Sequence, residues 1–186
     1  MLDLITPKRQ SGQIEVICGS MFSGKTKELI RRLDAVSQEG KKIRVFKPSI
    51  DVRYSEDRII SHDAKSLNCL SVKNPMEMLN QLLDVEVIGI DEVQFFDDSI
   101  VHVVNMLANQ GKRVILAGLD MDYKGNPFGP VPKLIGVAEF VTKLHATCTR
   151  CGGLASFSQR LSARDQTILL GEKEYYQAVC RKCFYG

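Results

Sequence analysis

Ile14-Glu15-Val16-Ile17-Cys18-Gly19-Ser20-Met21-Phe22-Ser23-Gly24-Lys25-Thr26-Lys27-Glu28-Leu29-Ile30 is the stretch on which the fold turns. Ile14 to Cys18 is a short β-prone run that ends in Gly19, and from Thr26 to Gln38 the apolar Leu29, Ile30, Leu33 and Val36 recur near helical spacing. The reading is strand, loop, helix. The loop Gly19 to Thr26 fits G-x-x-x-x-G-K-[ST] at every position, in the strand-to-helix setting that the pattern needs. Its glycines let backbone N–H groups turn toward phosphate oxygens, and the helix N-terminus adds the positive end of its dipole. Lys25 is long enough to reach β and γ oxygens, and Thr26 can hold Mg²⁺. A glycine-rich turn that matches by chance is the alternative, and both flanking elements count against it.

Outward from this unit the chain alternates. Gly40 stops the helix, and Lys42 to Lys47 alternates apolar and charged residues until Pro48, which predicts a second strand. Pro75 opens a predicted helix carrying Met76, Met78, Leu79 and Leu82, and Val85 to Ile90 is the nearly unbroken apolar run of a strand covered on both faces. Ser99 is placed to cap a helix with Ile100, Val103, Val104 and Leu107 on one face, and Gly111 precedes another apolar strand, Arg113 to Leu119. The β, α, β, α, β order predicts an α/β core: a parallel sheet with helices on both faces and right-handed crossovers. After Asp120, Gly125, Asn126, Pro127, Phe128, Gly129, Pro130 and Pro132 crowd together and predict a shaped loop rather than helix or central strand. From about Val141 the chain is strand-like and bounded by cysteines, so residues 1–141 are expected to form the core and 142–186 a small second module.

Asp91 and Glu92 follow directly on the buried run Val85 to Ile90, at the carboxyl end of a strand, where open α/β sheets place their ligands. Beside a phosphate loop, Asp91 suits Mg²⁺, directly or through water, and Glu92 points toward whatever attacks the γ-phosphate. Two solvated acids opening a turn are the alternative. Asp51-Val52-Arg53-Tyr54 follows the second strand, and a guanidinium there could neutralise the transferred phosphoryl group. Taken alone, a solvated ion pair is the better explanation of that segment.

Four of the six cysteines lie in the last 39 residues, as Cys148-x-x-Cys151 and Cys180-x-x-Cys183. The two-residue gap lets one turn present both sulfurs, and two such turns predict a tetrahedral, closed and therefore structural zinc site. Iron–sulfur binding or a redox pair are the alternatives. Cys18 and Cys69 stand alone and receive no role. His145 finds no vacancy in a four-sulfur site, and His102 falls off the apolar face of its helix.

Composition bounds the rest. With 186 residues against a typical domain of roughly 150, the chain holds slightly more than one domain. Its 25 basic and 22 acidic side chains leave +3, too little to announce nucleic acid or an anionic membrane, and four zinc-bound thiolates would remove most of that surplus. Met1 to Gln13 reads as neither a signal nor a transit peptide. The longest apolar runs fall well short of the ~18 residues of a membrane span, so a cytoplasmic protein is expected. A P-loop ATPase acting on nucleic acid lacks support without a basic, aromatic-studded stripe, and a non-catalytic nucleotide-binding scaffold is disfavoured by Glu92 directly after Asp91.

Several motifs together carry a resemblance. They are Gly19 to Thr26 with Met21 and Phe22 inside the loop; Asp51-Val52-Arg53-Tyr54-Ser55 with Ser61-His62-Asp63; Asp91-Glu92-Val93-Gln94-Phe95-Phe96; Gly118-Leu119-Asp120; Pro127-Phe128-Gly129; and the two cysteine pairs. From Ile14 to Tyr185 the chain resembles the tetrameric, zinc-containing thymidine kinases of many bacteria and of animal cytosol. The resemblance implies a P-loop (RecA-like) core with a zinc-anchored lasso domain, and transfer of the γ-phosphoryl of ATP, with Mg²⁺, to the 5′-hydroxyl of thymidine. It implies Glu92 as general base, Lys25 and Arg53 in the phosphate clamp, and Thr26, Asp51 and Asp91 at the Mg²⁺. Asp91, Glu92, Val93 and Gln94 would join Gly19, Ser20, Met21, Phe22, Ser23, Gly24, Lys25 and Thr26 around the ATP phosphates. Met21, Phe95, Tyr123, Phe128, Ser158 and Tyr176 match positions lining the nucleoside pocket, with Tyr123 and Ser158 standing where relatives often carry phenylalanine and threonine. Thr167-Ile168-Leu169-Leu170-Gly171 matches the lasso whose backbone binds thymine. A homotetramer and feedback inhibition by thymidine triphosphate (dTTP) are implied in the same way.

Overall fold

The computed structural model describes residues 12–51, 58–60, 66–161 and 175–186. Its elements are β1 (Gln13–Gly19), α1 (Lys25–Gln38), β2 (Ile43–Pro48), β3 (Arg58–Ile60), β4 (Ser66–Asn68), β5 (Leu70–Val72), β6 (Val87–Ile90), α2 (Ser99–Asn109), β7 (Arg113–Gly118), α3 (Val131–Val137) and β8 (Phe140–Leu144). The C-terminal part adds β9 (Ala146–Thr147), β10 (Leu154–Ala155), β11 (Phe157–Arg160), β12 (Tyr176–Val179) and α4 (Arg181–Tyr185).

Six strands form one sheet in the order β5-β2-β6-β7-β1-β8, and every pairing in it is parallel. Alternation along β1 sorts the two faces. Ile14, Val16 and Cys18 join Phe46, Ile88, Ile90, Val114 and Leu116 under α2 and α3, while Ile17 joins Val45, Val87, Ile115 and Ala117 under Leu29, Ile30, Leu33 and Val36 of α1. Helices therefore cover both faces, as the alternating pattern predicts. Leu33 packs so closely on Gly89 that a Cβ there would lie 2.6 Å from its Cδ1, so the glycine in the middle of β6 seats α1 on the sheet.

The row facing α1 contains one acid, Glu15, only 4% exposed. Burial alone would raise its pKa, but bonds from Arg113 and from Arg32 (2.7 Å) outweigh that and hold it below its ordinary value. A buried carboxylate is tolerable only when paired in this way.

Four local expectations need correction. Pro75–Gln81 is a 3-10 helix rather than an α-helix, capped by the Asn74 side chain accepting from Met76 N at 2.8 Å, and Leu82 lies beyond it. Ser99 is the first residue of α2 rather than its cap. Asp98 is the capping position, and the side-chain bond comes from Asp97, which accepts from Ser99 N at 2.9 Å. The proline-rich segment does contain a helix, α3, with Pro132 in its first turn, where a missing N–H leaves no bond unmade. The sheet also continues past residue 141, because β8 pairs with β1 from Glu15↔Phe140 to Gly19↔Leu144. Among the described residues no helix is long and apolar enough to cross a membrane.

Candidate active site at the carboxyl edge of the sheet

Gly19 ends β1 with φ +142, and a Cβ there would lie 2.2 Å from Leu144 O. Only glycine lets the chain leave the sheet beside β8. Phe22 (φ 63) and Gly24 (φ 87) are left-handed, which curls the loop around toward the N-terminus of α1. Lys25 turns inward and donates to Ser20 O at 2.8 Å.

β7 lies between β1 and β6, so the loop after β1 and the acids after β6 stand across one strand from each other. Thr26 Oγ1 donates to Asp91 Oδ2 at 3.0 Å, and the other carboxylate oxygen, Oδ1, accepts from Glu92 N at 3.0 Å. A hydroxyl and a carboxylate thus converge beside the loop. Hard oxygen donors of this kind suit Mg²⁺, whose remaining positions are filled by water and phosphate. Asp51, buried at 5% exposure, ends the turn after β2, the strand next to β6. Arg53 lies outside the described residues.

Glu92 has φ 52 and ψ 37, a left-handed conformation that costs a non-glycine residue energy and that clusters at functional sites. Val93, fully buried, opens the 3-10 turn Val93–Phe95, and Gln94 within it reaches back to Glu92. Phe95 and Phe128 meet edge to face, centroids 5.9 Å apart.

The C-terminal part docks directly on the phosphate loop. Met21 N donates to Ser158 Oγ at 2.9 Å, Ser20 Oγ donates to Ala155 O at 3.4 Å, and Phe22 packs against Ala155, Phe157 and Ala178 with their neighbours. Tyr123 and Tyr176 come together through a residue that sequence reading missed: Arg160. Its guanidinium lies 3.8 Å from the Tyr123 ring centroid and 5.3 Å from that of Tyr176, and it donates to the Tyr176 hydroxyl at 2.7 Å. Nothing in the sequence marks this arginine, since the contact depends on the β11–β12 register, which sets Arg160 opposite Tyr176. Asp120 also went unmarked as more than part of a motif; it is buried and paired with Lys143 at 2.7 Å. Thr167, Ile168, Leu169, Leu170 and Gly171 lie outside the described residues.

Cys148 and Cys151 flank the turn after β9, and Cys180 and Cys183 open α4. Their four sulfurs all lie within 4.8 Å of one another, with Cys151 and Cys180 at 3.6 Å. Tetrahedral zinc with ~2.3 Å bonds spaces its sulfurs by about 3.8 Å, so the donor set fits that ion. The thiols by themselves are electrostatically mismatched. Burial disfavours the Cys148 thiolate, yet backbone N–H groups of Cys180, Cys151 and Arg150 bring its pKa down to about 6. Cys183, against the Cys180 and Cys151 sulfurs, is pushed up to about 12. A cation removes that conflict by making every sulfur a ligand.

A phosphate loop between strand and helix, and an acid pair one strand away with the threonine hydroxyl already on it, define a P-loop nucleotide-binding protein of the phosphoryl-transferring kind. The model of one family, thymidine kinase, matches residues 12–184. Thymidine kinases of Bacteroides thetaiotaomicron and Bacteroides fragilis are each 50% identical to the chain over 182 residues, covering 98% of it and 92% of their own length. That of Porphyromonas gingivalis is 50% identical over 173 residues, 93% of this chain and 85% of its own. The chain belongs to the thymidine kinase family.

Proposed function

We propose that the protein is an ATP-dependent thymidine kinase that transfers the γ-phosphoryl of ATP to the 5′-hydroxyl of thymidine, for nucleotide salvage. The observation that carries this reading is the family match over residues 12–184, with the Thr26–Asp91 contact in support. ATP phosphates would lie along Gly19 to Thr26 and the strip Asp91 to Gln94, drawing Lys25 away from Ser20 O. Mg²⁺ would be held by Thr26, Asp91 and Asp51, directly or through water, and supplies charge neutralisation to the phosphates. An alcohol is too weak an acid for a carboxylate to ionise beforehand, and a loose transition state does not require it. Glu92 therefore orients the hydroxyl and collects its proton late, while Lys25 and Arg53 stabilise the transferring group.

The nucleoside would sit among Met21, Phe95, Tyr123, Phe128, Ser158 and Tyr176, closed over by the segment Thr167 to Gly171. We divide the chain at the end of β8, a core through residue 144 and a lasso module beyond it, the latter clasped by structural zinc on its four cysteines. A homotetramer, feedback inhibition by dTTP and a cytoplasmic location complete the proposal, on the family resemblance.

The test is ADP release from Mg-ATP with thymidine, with single-stranded DNA, or with neither. Release should follow thymidine alone. Stimulation by DNA without a response to thymidine would overturn the reading.

A further inference from the structure

We propose that Gln94 is the positioning residue of Glu92: its side-chain amide ties the general base to the backbone of Leu119, whatever its main chain offers the phosphates. The proposal rests on the kinase reading of Glu92 and deepens it.

Gln94 is 2% exposed. Its Oε1 accepts from Leu119 N at 3.0 Å, and because a backbone N–H can only donate, the oxygen end of the amide must face Leu119. The NH₂ end is then turned toward Glu92 and donates to Oε2. Amide orientation, often ambiguous, is here dictated by the partner.

The space around Gln94 is cleared from two sides. A Cβ on Gly118, at the end of β7, would lie 2.9 Å from Gln94 Oε1, and one on Gly129, itself left-handed at φ +52, would lie 2.4 Å from Gln94 O. Two glycines from separate segments thus make room for one glutamine. The residue it holds needs holding. Glu92 departs from a left-handed backbone, and a flexible carboxylate with free rotation would spend little time aimed at an acceptor hydroxyl. The bond from Gln94 to Oε2 limits the positions that carboxylate can take, which is how supporting residues sharpen a catalytic group.

Gln94→Met is the discriminating variant. Methionine has nearly the same length and adds no charge beside Glu92, whereas a glutamate there would set a second buried carboxylate against the first. Thymidine phosphorylation by Q94M should lose about 10- to 100-fold in kcat, the value of one charge-assisted hydrogen bond, with KM for Mg-ATP within about twofold of wild type. In an E92Q background Q94M should add no further loss, because the base to be positioned is gone. Should Q94M fold poorly, Gln94→Asn keeps the amide but shortens its reach and should lose kcat in the same way. For Q94M, a kcat within about threefold of wild type, an equal loss in the E92Q background, or a raised KM for Mg-ATP at unchanged kcat would overturn the proposal. Absence of thymidine-dependent turnover in the wild-type protein would instead overturn the kinase reading, and this assignment with it.

Discussion

The sheet core and the C-terminal module reach order by different physics. The core buries Ile, Leu, Val and Phe on both faces of six parallel strands, and its α1 face alone combines Leu29, Ile30, Leu33 and Val36 with Ile17, Val45 and Ile115. Among the described residues the module's buried cluster is Ala146, Cys148, Ala155, Phe157, Ala178 and Val179, in which three of the six are alanine. At roughly 25 cal/mol per Å², methyl-sized side chains contribute little. What the module has instead is four sulfurs within 4.8 Å of one another. On the proposed reading the core orders itself by apolar burial, whereas the part that touches the phosphate loop through Ser158 and Ala155 would be ordered by a metal on its four cysteines.

Removing the metal is the strongest way to break that contrast. Structural zinc supplies on the order of 10 kcal/mol to small modules. Chelation should therefore unfold residues beyond β8 and abolish thymidine binding, while amides of β1, β6 and β7 keep their hydrogen-exchange protection. Protection lost equally in both regions would show one cooperative unit instead of two.

Glu92→Gln tests the opposite half. It should lower kcat by about 10²- to 10⁴-fold with ATP and thymidine binding retained, measured by steady-state kinetics and equilibrium titration. Near-normal turnover would remove Glu92 from the base role.

Leu33→Ala should destabilise the core by about 2–5 kcal/mol, seen as a lower thermal midpoint with no release of zinc below the transition. Metal released together with core melting would tie the module's order to apolar packing after all.

The smallest effect concerns acid stability. The bond from Arg31, with help from Arg32, holds Glu28 at a pKa of about 2 against an ordinary 4.5. A folded pKa below the unfolded one means the contribution is complete above 4.5 and fades as pH falls through about 2. Because Arg31 is two-thirds exposed, Glu28→Gln should cost less than about 1 kcal/mol at neutral pH. Its denaturation curve should merge with that of wild type near pH 2, and a gap that persisted there would assign the effect to packing.

Much of this was readable in the chain. Apolar runs covered on both faces, glycines at loop positions and paired cysteines are signals carried by neighbouring residues, so the four inner strands, the P-loop, Asp91 with Glu92 and the sulfur set could be named from local pattern. Edge and capping features could not. β8 carries Lys143 and an exposed Phe140 and Val141, which give it no clean alternation; strand-like in sequence from Val141, it joins the core sheet rather than the second module because β1 offers an open edge. α3 hides in a proline-rich segment because a helix tolerates proline in its first turn.

The sequence by itself determined the class of chemistry, since the P-loop pattern, the acid pair and the two cysteine pairs each reside in residues a few positions apart. Tertiary structure alone decided how those parts act together. It put Thr26 on Asp91 across 65 positions, Ser158 on the phosphate loop across 137, and Leu119 against the amide that holds Glu92 across 25. Such contacts follow from strand order and register, which set distance between residues that no local pattern relates.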